Sequence, residues 1–466
     1  MLGMGNMRQW LMNISLVGGW FPAAAFAVIA VLSVTLLVSA AVSKRDGRIL
    51  ATVLPIGVAA VSGMVGYVVA WLLSDVFVVF GVGLGSRVMS WVAAGFAIAG
   101  FAIVHIVLSR GMMRVAAAIL TVFAILAAAI GIDQSYGEYA TIGSLFGEDS
   151  YSQADLTGLA KRKDLITVAQ WRKQAANGTI RNIPANGTVN KIDIPATKSQ
   201  FEARKALVYL PPAALADSKR KPALPVVLML SGQPGSPGRV FQAGGIQTMM
   251  DGYAKTHDGL APIVIAADQL GTDSHNTLCV DSKVYGNALT YLTQDVVDWV
   301  KTNLPAAQDA KDWAIAGFSQ GATCSLQIGV NHPDLFGTMI PTDSEIKPTN
   351  GSRQEMIDRF FDGDTTAYEN QVPVNAIRNH VPTHQMLIIG AGEKDTTSIR
   401  NVKTIAPVAA KAGMRVAAVE SSGNAHDWHA VQDVLRYGLA VFGHDTGLDG
   451  ANPNLSDYPN LKRITI

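Results

Sequence analysis

Four long apolar runs near the start of the chain constrain its fold more than any other feature. They read WFPAAAFAVIAVLSVTLLVSAAV from Trp20, ILATVLPIGVAAVSGMVGYVVAWLL from Ile49, VMSWVAAGFAIAGFAIVHIVL from Val88 and VAAAILTVFAILAAAIGI from Val115. A helix needs about 20 predominantly apolar residues to cross the hydrocarbon of a bilayer. Three runs reach that length and the fourth comes close. None shows the polar face, repeating every 3.6 residues, that a helix on the surface of a soluble core carries. The sequence therefore predicts four transmembrane helices, at about 20–42, 49–73, 88–108 and 115–132, in an all-α domain of residues 1–132.

The loops between the runs give an orientation. SKRDGR, after the first run, holds Lys44, Arg45 and Arg48, and SRGMMR, after the third, holds Arg110 and Arg114. The loop after the second run has only Arg87, with Asp75 nearby. Lys- and Arg-rich loops stay in the cytoplasm, so the start of the chain and everything after the fourth helix are expected outside, in a multi-pass protein of the cell membrane. A cleaved signal peptide fits the first run less well, because the stronger positive cluster follows it and three more runs come after. His105 is the main ionisable group within the runs, and its place near the cytoplasmic end of the third explains it as an interfacial residue.

Past Ile132 the chain changes character. Residues 133–180 are polar and lack a strand pattern, and are expected to form an extracytoplasmic stem. From Gly187 strands and loops alternate. TVNKIDIPA and ARKALVYLPP have the two-residue period of strands covered on one side, whereas LPVVLMLSGQPGSPG, APIVIAADQLG and DWAIAGFS contain continuous apolar runs. TYLTQDVVDWVKTNL has helical spacing at Leu292, Val296, Val297, Val300 and Leu304, and HQMLIIGAGEKD and MRVAAVESSGNAHDW follow further on. Buried strands alternating with helices indicate a mostly parallel sheet with helices on both faces. The α/β domain is expected over 181–445, and the turn-rich 446–466 as a surface tail. A net charge of +1 suggests no nucleic-acid partner. The two cysteines, Cys279 and Cys324, are too few for a disulfide-built mini-fold and have no zinc-type spacing with histidine, so no metal and no cofactor is implied.

One stretch carries chemistry. In WAIAGFSQGATCSL, residues 313–326, an apolar strand meets Gly317-Phe318-Ser319-Gln320-Gly321 and a small-residue helix follows. A strand, a G-x-S-x-G turn and a helix form a nucleophile elbow, on which the serine is exposed by a sharp bend. Ser319 is the expected nucleophile. A serine hydroxyl needs a base, and the base an orienting acid; on an elbow of this kind the acid and then the histidine follow in the chain. His426, in the small-residue loop SSGNAHDW after the last strand, is the expected base, with His429 one turn later as the alternative. His332 lies too close to the elbow helix, and His380 and His384 precede a strand. The acid should leave the end of LIIGAG, where Asp395 is favoured and Glu393 is the alternative; Asp427, next to His426, would face away. The oxyanion needs two backbone donors: the amide of Gln320, after the nucleophile, and that of Gln233 in LSGQPGSPG.

These segments resemble the putative-esterase family of α/β-hydrolases, which includes esterase D, enterochelin esterases and the secreted mycolyltransferases of mycobacteria and corynebacteria. The resemblance rests on ARKALVYLPP, VVLMLSGQPG, YLTQDVVDWVKTNLP, WAIAGFSQGATCSLQIGVNHPDLFGTMIPTDS and GNAHDWHAV, and covers roughly residues 187–440. It implies an α/β-hydrolase fold, with the nucleophile at Ser319, the base at His426, the acid in the Glu393–Asp395 segment and the second oxyanion amide at Gln233. The loop reads Ser-Gly-Gln where many relatives have His-Gly or Asp-Gly. Outside the cell a bridge between Cys279 and Cys324 is permitted, and would pin a loop to the elbow helix.

The leading expectation is a membrane-anchored serine esterase that hydrolyses an ester of a lipid or cell-envelope molecule, with membrane lipids as neighbours. The anchor would raise the local concentration of such substrates. An acyltransferase of the mycolyl type would use the same acyl-enzyme with a sugar hydroxyl as acceptor, and an aminoacyl-phospholipid hydrolase is a narrower form of the first reading. A membrane protein with an inactive, hydrolase-like ectodomain belongs to a different class. Against it, every triad position has a candidate.

Overall fold

The computed structural model describes residues 2–42, 48–77, 84–148, 151–160, 164–380 and 384–466. Lys44 and Arg45, in the loop after the first apolar run, lie outside the described residues. The chain divides into two compact units, Met1–Asp149 with Ala425–Asp427, and Ser150–Asn424 with Trp428–Ile466.

The first unit is built on four helices: α1 (Trp20–Ala41), α2 (Arg48–Trp71, prolonged by a π-turn at Leu72–Val76), α3 (Gly85–Leu108) and α4 (Met112–Tyr136). All four are long and apolar enough to cross a membrane. α4 outruns its apolar stretch because helical hydrogen bonding continues through Asp133 and Gln134. It stops at Gly137, whose left-handed backbone returns its N–H to the Asp133 carbonyl. Leu36, Ala102, Ala117 and Leu120 form the inner seam, while Val31, Val38, Ile103, Val107, Val122 and Ile125 are exposed. An exposed apolar surface of this kind on a water-soluble monomer would be anomalous.

The second unit is organised by a ten-stranded sheet. In chain order the strands are β1 (Ser152–Gln153), β2 (Thr188–Ile192), β3 (Ala206–Leu210), β4 (Val226–Leu230), β5 (Ile263–Ala266), β6 (Trp313–Phe318), β7 (Thr338–Thr342), β8 (Met386–Gly392), β9 (Arg415–Ser421) and β10 (Leu461–Arg463). Their order across the sheet is β1-β2-β3-β5-β4-β6-β7-β8-β9-β10. Strands β4 to β9 are mutually parallel, β3 is antiparallel to β2 and β5, and β10 runs antiparallel at the far edge.

Alternate residues of each strand serve opposite faces. Val226, Leu228, Leu230 and Ile315 pack with Val300 of α6 (Val296–Asn303), Ile328 of α7 (Gln320–Asn331) and Ile405 of α8 (Thr396–Lys411). Val227, Met229, Ala314 and Ala316 share the other face with Val434 and Leu435 of α9 (Trp428–Asp445) and with Met250 of α5 (Ile246–Lys255). This double burial accounts for the unbroken apolar runs of the central strands and gives the α/β arrangement expected from sequence.

Strand β7 was not foreseen. Its sequence, Thr-Met-Ile-Pro-Thr, places Pro341 in the middle of a sheet, where a proline usually argues against a strand. The ladder accommodates the missing donor. β7 pairs with β6 at every residue from Thr338 to Thr342, but its pairing with β8 skips Ile340 and Pro341.

Candidate active site

The fully buried strand β6 ends at Phe318, and α7 begins at Gln320. Ser319 makes the whole turn between them, at φ 55° and ψ −117°. A non-glycine residue pays for such a conformation, which is why it concentrates at functional sites. The flanking glycines let the turn close. A Cβ on Gly317 would lie 2.2 Å from the Gly321 carbonyl oxygen, and one on Gly321 would lie 2.3 Å from the Ser231 carbonyl oxygen at the end of β4. The Ser319 N–H donates to the Thr342 carbonyl (3.0 Å), tying the elbow to β7.

The loop after β4 lies beside Ser319. A Cβ on Gly232 would come within 3.4 Å of the Ser319 Cβ. The next residue, Gln233, is exposed, and its side-chain amide donates to the Ser274 carbonyl (2.9 Å). Gln320 is held by its buried side chain. Gln269 Nε2 donates to Gln320 Oε1 (3.2 Å), and Gln320 Nε2 donates to Asn276 Oδ1 (3.3 Å). The disulfide between Cys279 and Cys324, formed as the sequence suggested, joins the loop that carries Asn276 to α7. Sequence alone did not reveal Gln269 and Asn276, because both meet Gln320 across the fold.

Beyond β8 the two candidate acids separate. Glu393 is exposed. It accepts the Gly423 N–H (2.7 Å) and the Lys462 ammonium of β10 (3.0 Å), and these two donors hold its carboxyl below the usual carboxylate range. Asp395 is buried and caps α8, its Oδ1 accepting the Ser398 N–H (3.0 Å). After β9 the loop bearing His426 is anchored at both ends. Ser421 Oγ donates to Asp433 Oδ2 of α9 (2.6 Å), and Asn424 donates to Ser421 Oγ (2.8 Å). The Lys394 N–H donates to the Asn424 carbonyl (2.8 Å), linking the acid loop to the histidine loop. Trp428, fully buried, meets the ring of Phe318, the residue before Ser319, at 5.0 Å between centroids.

One carboxylate oxygen each of Asp343 and Asp395 and one ring nitrogen of His426 lie within 4.8 Å of one another. Among the described residues this is the one grouping of His, Asp, Glu or Cys tight enough to share a cation. It also offers what an imidazole base requires, a carboxylate close at hand. Asp343 carries no signal in the sequence, because it follows β7, whose Pro341 argues against a strand. The remaining histidines lie outside the grouping. His332 ends α7, where burial lowers its pKa, and His380 bonds the Ala376 carbonyl of its own helix (2.9 Å). His384 is exposed, His429 lies in the first turn of α9 and His444 in its last. Asp427 accepts the Ala425 N–H (2.7 Å) within its own turn.

Ser319, Asp343, Asp395 and His426 all follow the carboxyl ends of parallel strands, β6 to β9, the side on which open α/β sheets bind ligands. A family profile described as "Putative esterase" matches residues 198–438. An uncharacterized protein of Corynebacterium glutamicum is 31% identical over 333 residues, covering 70% of this chain and 74% of that protein. Among solved structures, an S-formylglutathione hydrolase from Agrobacterium tumefaciens aligns at 15% identity and a TM-score of 0.47, covering 57% of this chain and 98% of that one. MPT51 of Mycobacterium tuberculosis aligns at 13% identity and a TM-score of 0.40, covering 55% and 98%.

Proposed function

The chain belongs to the putative-esterase family and is an ester-hydrolysing enzyme, and on that premise we propose a membrane-anchored serine esterase acting outside the cell on a lipid or cell-envelope ester. The observation that carries this reading is the strained Ser319 turn at the head of α7, on a sheet in which Asp395 follows β8 and His426 follows β9.

The chemistry follows from those groups. His426 takes the Ser319 hydroxyl proton as the oxygen attacks the ester carbonyl carbon. The tetrahedral oxyanion is stabilised by the backbone N–H of Gln320, with the Gln233 N–H as second donor. Asp395 orients the imidazole and offsets its positive charge. The imidazolium gives its proton to the departing alkoxide, leaving an acyl-serine. A water molecule, deprotonated by the same imidazole, attacks the acyl carbon, and the proton returns to Ser319 as the acid is released.

The four apolar helices support a membrane anchor. Arg110 and Arg114 between α3 and α4 support a cytoplasmic loop there, which would leave the hydrolase domain outside, where a disulfide persists. The test is labelling with a fluorophosphonate, followed by lipid analysis of a deletion strain. The wild type should label and Ser319→Ala should not, while accumulating esters in the deletion strain name the substrate. Labelling that survives Ser319→Ala would move the nucleophile elsewhere. Adding a sugar acceptor to the purified enzyme separates hydrolysis from acyl transfer.

A further inference from the structure

We propose that Asp343 is a second carboxylate partner of the His426 imidazole, a positioning residue that shares with Asp395 the task of holding the base. The proposal rests on the reading of His426 as the base. Strand β7 lies between the nucleophile strand β6 and the acid strand β8, so the residue after it emerges between Ser319 and Asp395. Asp343 is that residue. Its backbone is fixed by its N–H on the Gly390 carbonyl (2.9 Å), and its Oδ1 accepts the Gly392 N–H (2.9 Å). Asp395 likewise gives one oxygen to a backbone N–H, that of Ser398. Each aspartate thus has one oxygen on the backbone, and each stands in the 4.8 Å grouping with His426.

The residue type argues for more than a structural role. Asp343 is fully buried and sits at φ 55°. Asparagine tolerates that backbone equally well and would still present an oxygen to the Gly392 N–H, without the cost of burying a carboxylate. Turn geometry and hydrogen bonding therefore do not call for an acid. A histidine that becomes imidazolium during each acylation does, because a second carboxylate nearby favours the charged ring. The other titratable groups beside His426 in the grouping or in the chain are Asp395, Asp427 and His429.

The test compares Asp343→Asn, Asp395→Asn and the double variant in the full-length, detergent-solubilised protein, with a p-nitrophenyl ester as substrate. Asp343→Asn should lower kcat on the order of 10–100-fold, as removing an outer partner that orients a histidine does elsewhere, with KM nearly unchanged. The double variant should fall below either single one. In Asp343→Asn the pH midpoint of fluorophosphonate labelling should move down, since a negative charge near the imidazole has gone. A wild-type kcat and midpoint in Asp343→Asn would overturn the proposal, and so would a loss of kcat with an unmoved midpoint, which marks a purely structural part. Activity that a chelator removes and a divalent ion restores would also overturn it, since the grouping would then hold a cation. If Asp343→Asn fails to fold, Asp343→Gly, which suits the positive φ, takes its place under the same criteria. His426→Ala is the separate control. If it keeps wild-type labelling, the base reading fails whatever Asp343 does.

Discussion

At the residue scale the site depends on small differences of position. Glu393 and Asp395 are two residues apart, yet one is bound to Lys462 on the sheet edge and the other is buried close to His426. Asp395→Asn should lower ester hydrolysis by on the order of 10²-fold or more, because the imidazole loses its partner and its preferred tautomer. Glu393→Gln should change activity by no more than a few-fold, since exposed ion pairs contribute little. If Glu393→Gln proves the more damaging in a kcat comparison, the acid is the other carboxylate. Glu393 has a pH signature as well. Its carboxyl is depressed in the folded state, so its stabilisation is present above the ordinary glutamate pKa and is lost as pH falls through the lowered value. Any difference in Tm between wild type and Glu393→Gln at neutral pH should therefore close on acidification. Gly321→Ala must push a Cβ against the Ser231 carbonyl at 2.3 Å, so this variant should lose fluorophosphonate labelling. Unchanged labelling would mean that the elbow can shift without cost.

At the scale of elements, the candidate oxyanion donor Gln320 sits where a loop is stapled to a helix. The Cys279–Cys324 bridge and the Asn276–Gln320 hydrogen bond join the same two pieces, so loosening one should loosen the other. Replacing both cysteines by serine should destabilise the protein by about 2–4 kcal/mol. It should also slow labelling of Ser319 under conditions where the protein remains folded, because the Gln320 amide is less well held. A variant with a lower Tm and the wild-type labelling rate would separate the bridge from the site. The histidine loop is held differently, by Asp433 through Ser421 and Asn424 and by the ring contact of Trp428 with Phe318.

At the scale of the whole molecule, the proposed orientation can be tested without altering either cysteine, because both are in the bridge. Ala451 is exposed in the tail. Ala451→Cys therefore introduces a single reactive thiol, which should be labelled by a membrane-impermeant maleimide in intact cells. Labelling only after lysis would reverse the orientation and move the hydrolase domain to the cytoplasm.

Signals that live in consecutive residues were legible in the chain by itself. Length and apolarity marked the four helices, unbroken runs such as VVLML and WAIAGF marked strands buried on both faces, and G-x-S-x-G between strand and helix marked the elbow. His426 is the candidate base on a local ground of the same kind, a small-residue loop after the last parallel strand. Tertiary structure decided what depends on residues distant in sequence meeting in space. It separated Asp395 from Glu393, since only the path of the loop after β8 determines which carboxylate stands by the histidine and which by Lys462. It joined Gln269 and Asn276 to Gln320, 51 and 44 residues apart in the chain. It also brought Asp343 close to Asp395 and His426, just after a strand whose Pro341 hides it from any reading by propensity. The backbone of β7 is held by pairing with β6 along its whole length, and that support comes from the neighbouring strand rather than from its own residues.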